Sequence, residues 1–255
     1  MFSPFQISLI EKAGHDHGFE YALTSSPTEV VLGSAIHAST IAIAPSRGGF
    51  RVQIKTGPES LFSELSRSFQ GDKSAGFLIA SEPELSQWMR RASALAHSLP
   101  NQTVVNYEQQ VEKELSQLSE GDLSSTEVQR LVRQRVGQQA YRAAMMNYWG
   151  AACAVTGVTL SVALRASHAK PWAECSSDAE RLDVFNGFLL SANLDALFDK
   201  FLITFTDAGK MMISSRVTEN DRKALGLSES MSLRWLAPEH LVYLKHHQNE
   251  FAKGD

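Results

Sequence analysis

Between His97 and His240 the chain carries a single histidine, His168, and the residues that follow it come in an order that restricts the fold more than any other feature. The run "LRASHAKPW" (164–172) leads into the polar loop "AECSSDAERLDVF". Asn186-Gly187, the apolar "FLL", the segment "SANLDALFD" and then "LITF", "DAGK" and "MMISS" come next. The rhythm is strand, histidine, loop, turn, short apolar strand, helix and terminal hairpin. Asn-Gly is a strong tight-turn signal. A helix starting near Ser191 sets Asp195 and Asp199 four residues apart, so both carboxylates share one face.

Upstream, Ser124 and Glu127 make a capping-box pattern that opens a helix, "TEVQRLVRQRVGQQAYRAAMMNYW", ended by Gly150. Leu131, Val132, Val136, Ala140, Ala143, Ala144 and Tyr148 supply its expected apolar stripe, and the arginines fall largely off it. The polar run 113–125 before it reads as a linker, which places a first domain at 1–112 and a second at 126–255. The first domain has strand-and-turn chemistry around Ser-Pro and Arg-Gly-Gly. Two segments, "SLFSELSRSFQ" and "EPELSQWMRRASALAHSL", have helical spacing. It carries no phosphate loop, metal spacing or nucleophile motif, so a ligand or protein partner is the open expectation for it. Arg47, Arg51 and Lys55 read as surface charges on a hairpin.

The net charge of −4 argues against a protein coated for nucleic acid. Residues 128–170, however, hold Arg130, Arg133, Arg135, Arg142, Arg165 and Lys170 and no acid. Such a stripe can steer a phosphate backbone, and it can equally be a solvated helix face. No apolar run is long enough to span a membrane, and the start lacks the features of a signal peptide, so a cytoplasmic location is expected. Two cysteines, Cys153 and Cys175, suit a reducing compartment and structural roles.

Many ordered positions resemble the HNH endonucleases, in the branch reading "CAVTG…H.PW…NG…LFD". These are Cys153-Ala-Val-Thr-Gly157, Ser167-His168, Pro171-Trp172, Arg181, Asp183, Asn186-Gly187, Leu190, Leu194 and Leu197-Phe198-Asp199, followed by "LITF" and "DAGK". The resemblance covers about 128–250. It implies a ββα-metal nuclease domain that cuts phosphodiester bonds in DNA in a restriction or defence setting; with the mixed α/β N-terminal domain read from its own strand and helix pattern, the chain is expected to be α+β. It implies His168 as general base and Asn186 as the residue that holds the histidine strand. Where many relatives carry the second histidine this chain has Asp195, and the position before the base is Ser167, a weak ligand. Asp195 and Asp199 as hard oxygen donors then favour Mg²⁺ or Mn²⁺. Lys170, Arg181, Arg133 and Arg165 are candidate phosphate contacts, and Trp172 a packing anchor under the loop. A homodimer suits duplex cleavage, though no interface pattern specifies one. The alternative is a nucleic-acid-binding or regulatory protein whose nuclease has decayed. His240, His246 and His247, in the C-terminal segment, read as surface residues.

Overall fold

The computed structural model describes residues 1–118 and 126–254. The chain divides into two compact units, Met1–Gln102 and Thr103–Asp255. In the first unit, β1 (Tyr21–Ser25), β2 (Val30–Gly33), β3 (Thr40–Ser46), β4 (Gly49–Thr56), β5 (Gly71–Asp72) and β6 (Gly76–Ile79) form a sheet in the order β1-β2-β3-β4-β6-β5. Every pairing is antiparallel, so the unit is α+β, without parallel crossovers. The basic hairpin is β3–β4, closed by Arg47-Gly48, and its Lys55 pairs with Glu29 at 3.5 Å.

Helices α1 (Pro4–Asp16), α2 (Leu61–Leu65) and α3 (Glu82–Ser98) complete this unit. Helix α3 follows its sequence signals. Ser81 caps it through the Glu84 amide, Glu82 and Glu84 lie in its first turn, and His97 lies in its last. Leu85, Trp88, Met89, Ala92 and Ala96 form its buried stripe, and Trp88 meets Phe77 of β6 at 5.4 Å between centroids. The other expected helix, "SLFSELSRSFQ", is helical only over Leu61–Leu65.

The second unit begins earlier than the sequence placed it. Helix α4 (Gln102–Leu115) buries Tyr107 and Val111, and amphipathic spacing inside a polar run concealed it. Residues 119–125, with Ser124 of the capping box, lie outside the described residues. Helix α5 (Thr126–Tyr148) buries Val136, Gly137, Tyr141, Ala144, Met145 and Tyr148. Only Val136, Ala144 and Tyr148 of the expected stripe are among them, and Leu131 is 52% exposed. Conventional apolar residues alone do not make up the buried face. The fold also uses a glycine, which admits a tryptophan ring, and a tyrosine whose hydroxyl finds a carbonyl.

Helix α5 ends at Tyr148, ahead of Gly150 in the left-handed region. The turn that follows the helix is closed by a side chain from far along the chain. The Arg234 guanidinium donates to the carbonyls of Trp149, Ala152 and Cys153. It also lies 4.6 Å over the Trp235 ring, which stacks on Trp149.

Beyond it come β7 (Leu164–His168), α6 (Asp178–Leu182), β8 (Gly187–Ser191), α7 (Ala192–Phe198), the hairpin β9 (Ile203–Phe205) and β10 (Met211–Ile213), α8 (Glu219–Ala224) and α9 (His240–Gly254). Strands β7 and β8 pair antiparallel, and α7 follows directly, giving a ββα unit. Two of the C-terminal histidines are not on the surface. His240 and His247 are 0% and 1% exposed. His247 donates or accepts at both nitrogens, to Thr204 Oγ1 and the Phe198 carbonyl, and stacks on the Phe198 ring. The adjacent His246-His247 beside Lys245 look solvated, but the buried face of α9 runs His240, Leu244, His247, Phe251 at helical spacing. Among the described residues no helix is long and apolar enough to cross a membrane.

Arg234→Lys keeps the charge but cannot bridge several carbonyls with a planar fork. It is expected to lower the unfolding free energy of the second unit by about 2 kcal/mol. Urea denaturation followed by tryptophan fluorescence measures this, and Trp149 and Trp235 report the site directly.

Candidate active site

The site is built on the β7–β8 pair. His168 ends β7 opposite Gly187, Ser167 lies opposite Phe188, and Ala166 opposite Leu189. Successive strand residues face opposite ways. Ser167 accordingly reaches α7, where its hydroxyl donates to Asp195 Oδ1 at 2.6 Å. His168 faces α5, where its imidazole stacks on Tyr141 with centroids 3.8 Å apart and planes 20° from parallel. The edge of the same ring meets Trp172, centroids 5.7 Å apart.

The His168 tautomer follows from its neighbour. Nε2 lies 2.9 Å from the Arg181 carbonyl oxygen, which can only accept. Nε2 therefore carries the hydrogen, and in the neutral ring the free lone pair is on Nδ1. Burial pushes the imidazole down to about 4, against the opposing effect of the Arg181 carbonyl. At neutral pH the ring is uncharged and can take a proton at Nδ1.

Asn186 is fully buried. Its Oδ1 accepts from the Lys170 amide at 2.8 Å, and its Nδ2 donates to the carbonyls of Glu180 at 3.0 Å and Lys170 at 3.3 Å. The side chain so pins the loop after His168 at two places. The Asn186 carbonyl accepts from Tyr141 Oη at 2.9 Å and from the Ala169 amide. The tight turn sits one step before the Asn-Gly pair, where the Asn186 amide donates back to the Asp183 carbonyl. Gly187 is needed for a different reason. Its φ is 152°, and a Cβ there would lie 1.9 Å from the Ser167 carbonyl oxygen and 2.5 Å from Tyr141 Oη.

The remaining candidates are placed as follows. Asp195 is half-buried on α7, and Asp199 caps that helix, 68% exposed and beside Lys200 at 3.1 Å. Among the described residues no hydrogen bond joins His168 to either aspartate, and no three of His, Cys, Asp and Glu come together as a metal cluster. Lys170 Nζ pairs with Glu180 at 3.0 Å. Arg181 pairs with Asp178 and donates to the Trp172 and Cys175 carbonyls, so its guanidinium braces the loop. Arg165 is exposed and donates to the Val162 carbonyl. Arg133 lies beside the Tyr107 hydroxyl. The structure thus gathers His168, Asn186, Lys170 and Arg181 around one loop, ties Asp195 to β7 through Ser167, and leaves Asp199 and Arg165 at the surface.

Tyr141, Gly137 and Tyr243 were not singled out from sequence. Gly137 lets the Trp172 ring approach α5, since a Cβ would meet its Cη2 at 2.6 Å. Tyr243 donates to the Asp183 carboxylate, whose own pKa burial raises. Glycine in mid-helix ordinarily costs about 1 kcal/mol, and that misfit in "RQRVGQQAY" was the available signal.

Residues 153–206 match the family model described as HNH endonuclease. The match places a nuclease-type domain in the C-terminal half and spans β7, the loop, β8, α7 and β9. No curated protein matches the chain.

Tyr141→Phe keeps the stack on His168 and removes one donor from a carbonyl that retains another, so a loss of about 1 kcal/mol is expected. Tyr141→Leu also opens the imidazole to water. Its His168 should titrate closer to 6.5 in NMR, whereas in Tyr141→Phe it should stay near 4.

Proposed function

We propose that the second unit hydrolyses phosphodiester bonds in DNA, with His168 as the general base that takes a proton from the attacking water at Nδ1. The observation that carries this is the Nε2 bond to the Arg181 carbonyl, which commits one nitrogen to donation and leaves the other as an acceptor. Stacking on Tyr141 and the Trp172 edge fix the ring plane, and Asn186 fixes the loop that presents the Arg181 carbonyl. Within the family match, that arrangement supports a nuclease over a general acid–base site of another kind.

The donors fit a hard divalent ion of the Mg²⁺ or Mn²⁺ type. Such ions bind through one or two carboxylates, with waters and substrate phosphates completing the shell. Asp195 would hold the ion, with Asp199 one turn on, and Ser167 keeps the Asp195 carboxylate turned toward β7. When bound, it would supply charge stabilisation on the phosphate and help the leaving oxygen. Two carboxylates in place of imidazole or thiolate donors match a hard ion better than zinc. The first unit would act as a specificity, sensing or partner domain in a restriction or defence setting.

A second reading, DNA binding without cleavage, draws on the Ser167–Asp195 bond, because the two side chains at the implied metal positions satisfy one another. Purified protein incubated with plasmid DNA separates the two. Nicking in Mg²⁺ or Mn²⁺, absent in EDTA and reduced at least ~100-fold in His168→Ala, is the expected result. Cutting that survives in His168→Ala would remove the base from His168, and binding without cutting in any metal would select the second reading.

The acidic limb of kcat/KM should fall well below 6.5, toward the value of about 4 set by burial of His168. The sign for stability agrees. A ring kept neutral when folded contributes stability above 6.5 that is lost as pH falls toward 4. A limb centred at 6.5 or higher would show that the titrating base is not this buried ring.

A further inference from the structure

The buried face of helix α5 gives way toward its N-terminus to a largely exposed stretch on the same side, and the chemistry of that face changes there. From Gly137 through Tyr141, Ala144, Met145 and Tyr148 it is buried. Continued toward the N-terminus at the same helical spacing, the face is Thr126, Gln129, Arg130, Arg133 and Gln134. These residues look onto a cleft of about 550 Å³ that Tyr107 of α4 and Trp172, Asp178 and Arg181 of the active-site loop also line. Arg130 and Arg133 give that exposed stretch a basic wall along the cleft, with Arg133 hydrogen-bonded to the Tyr107 hydroxyl opposite.

The charge of the cleft gives the sign of an occupant. Arg130, Arg133 and Arg181 line it against one acid, Asp178, and that acid is paired with Arg181 at 2.9 Å. Among the described residues Arg130 pairs with the solvent-exposed Glu127, at 3.8 Å. The excess is positive in a chain whose net charge is −4. The cleft also borders the candidate base. Trp172 lines it and meets the His168 ring, and Arg181 lines it while its carbonyl holds His168 Nε2. Its volume falls in the range of about 300–1,000 Å³ that takes a group of nucleotide size.

We propose that this cleft is a strand-binding subsite, holding the DNA backbone next to the phosphodiester addressed by His168. Arg130 and Arg133 bind a flanking phosphate, and the Tyr107–Trp172 wall carries the adjoining sugar. The proposal rests on the nuclease reading and adds the place where the strand lies. It also assigns different roles among the basic residues. Arg133 contacts the strand and Arg181 braces the wall, while Arg130, which had no assigned role, becomes a primary contact.

The test uses the full chain carrying His168→Ala, so that on the nuclease reading bound DNA stays uncut, and a fluorescein-labelled 20-nucleotide single strand and its duplex. Fluorescence anisotropy across a KCl series reads affinity and salt slope. Arg130→Ala/Arg133→Ala should weaken binding about 10- to 100-fold at low salt and reduce the slope of log K against log salt by about 1 to 2. Arg135→Ala, whose partner is Glu114 and which lies off this face, should leave both unchanged. Both arginines of the double variant are exposed, so the fold is expected to survive, and urea denaturation verifies it. Unaltered affinity and slope in the double variant, an equal loss in Arg135→Ala, or no binding of either DNA by the parent would each overturn the proposal. The same substitutions in the protein with His168 intact keep the two readings apart. Cutting that depends on His168 with KM unmoved by the double variant removes the subsite and leaves the nuclease. Binding that depends on Arg130 and Arg133 without any cutting removes the nuclease and leaves the subsite.

Discussion

The buried amide of Asn186 is the interaction on which the site depends. The chain between β7 and β8 is too long to be held by a hairpin turn, and its own regular structure is limited to the short helix α6 and a single turn at Trp172–Glu174. Asn186 crosses that loop with both ends of its side chain, binding the Lys170 amide on one side and the Glu180 and Lys170 carbonyls on the other. An aspartate could accept but not donate, and a leucine could do neither while leaving buried backbone groups unpaired. Through Glu180 the same amide fixes its neighbour Arg181, whose carbonyl sets the tautomer of His168. The position of the free lone pair, on Nδ1, is therefore set by a residue that never touches that atom.

Helix α5 provides the second support, by approaching the β7–β8 pair unusually closely. Gly137 admits the edge of Trp172, and Tyr141 lies flat on His168 while its hydroxyl reaches the Asn186 carbonyl. Gly187 makes the matching concession on β8, where any side chain would collide with the Ser167 carbonyl and with Tyr141. Two glycines and one tyrosine thus form a set. Enlarging either glycine pushes the helix from the strands, and the imidazole then gains the water whose absence keeps it neutral.

These features differ in how far the sequence displayed them. The order from His168 to Asp199 was legible because each step combines a local signal with a fixed spacing, and the β7, β8, α7 succession follows it. Helix α3 was legible for similar reasons of capping and charge. The face of α5 was not, since apolarity alone favoured Leu131 over Gly137 and Tyr141, and only the arrival of Trp172 and Asn186 makes those two the right choices. His240 and His247 were misjudged in the same way. A histidine's polarity is visible in sequence, whereas the Thr204 hydroxyl and Phe198 carbonyl that satisfy His247 come from β9 and α7. Residues that tie distant segments together by hydrogen bonds leave little local trace.

The depressed pKa of His168 also sets a condition on when the site can work. A ring held near 4 is reliably neutral at pH 7, but it is a weak base for the same reason. An anion would offset that burial, but the loop's carboxylates Asp178 and Glu180 are paired with Arg181 and Lys170. An anion brought against the ring would stabilise its protonated form and raise its basicity. The phosphodiester is such an anion, and it would arrive as the water is positioned. On the proposed reading His168 would be strengthened by its own substrate, gaining proton affinity when a strand is in place, because the loop's own charges are paired with one another.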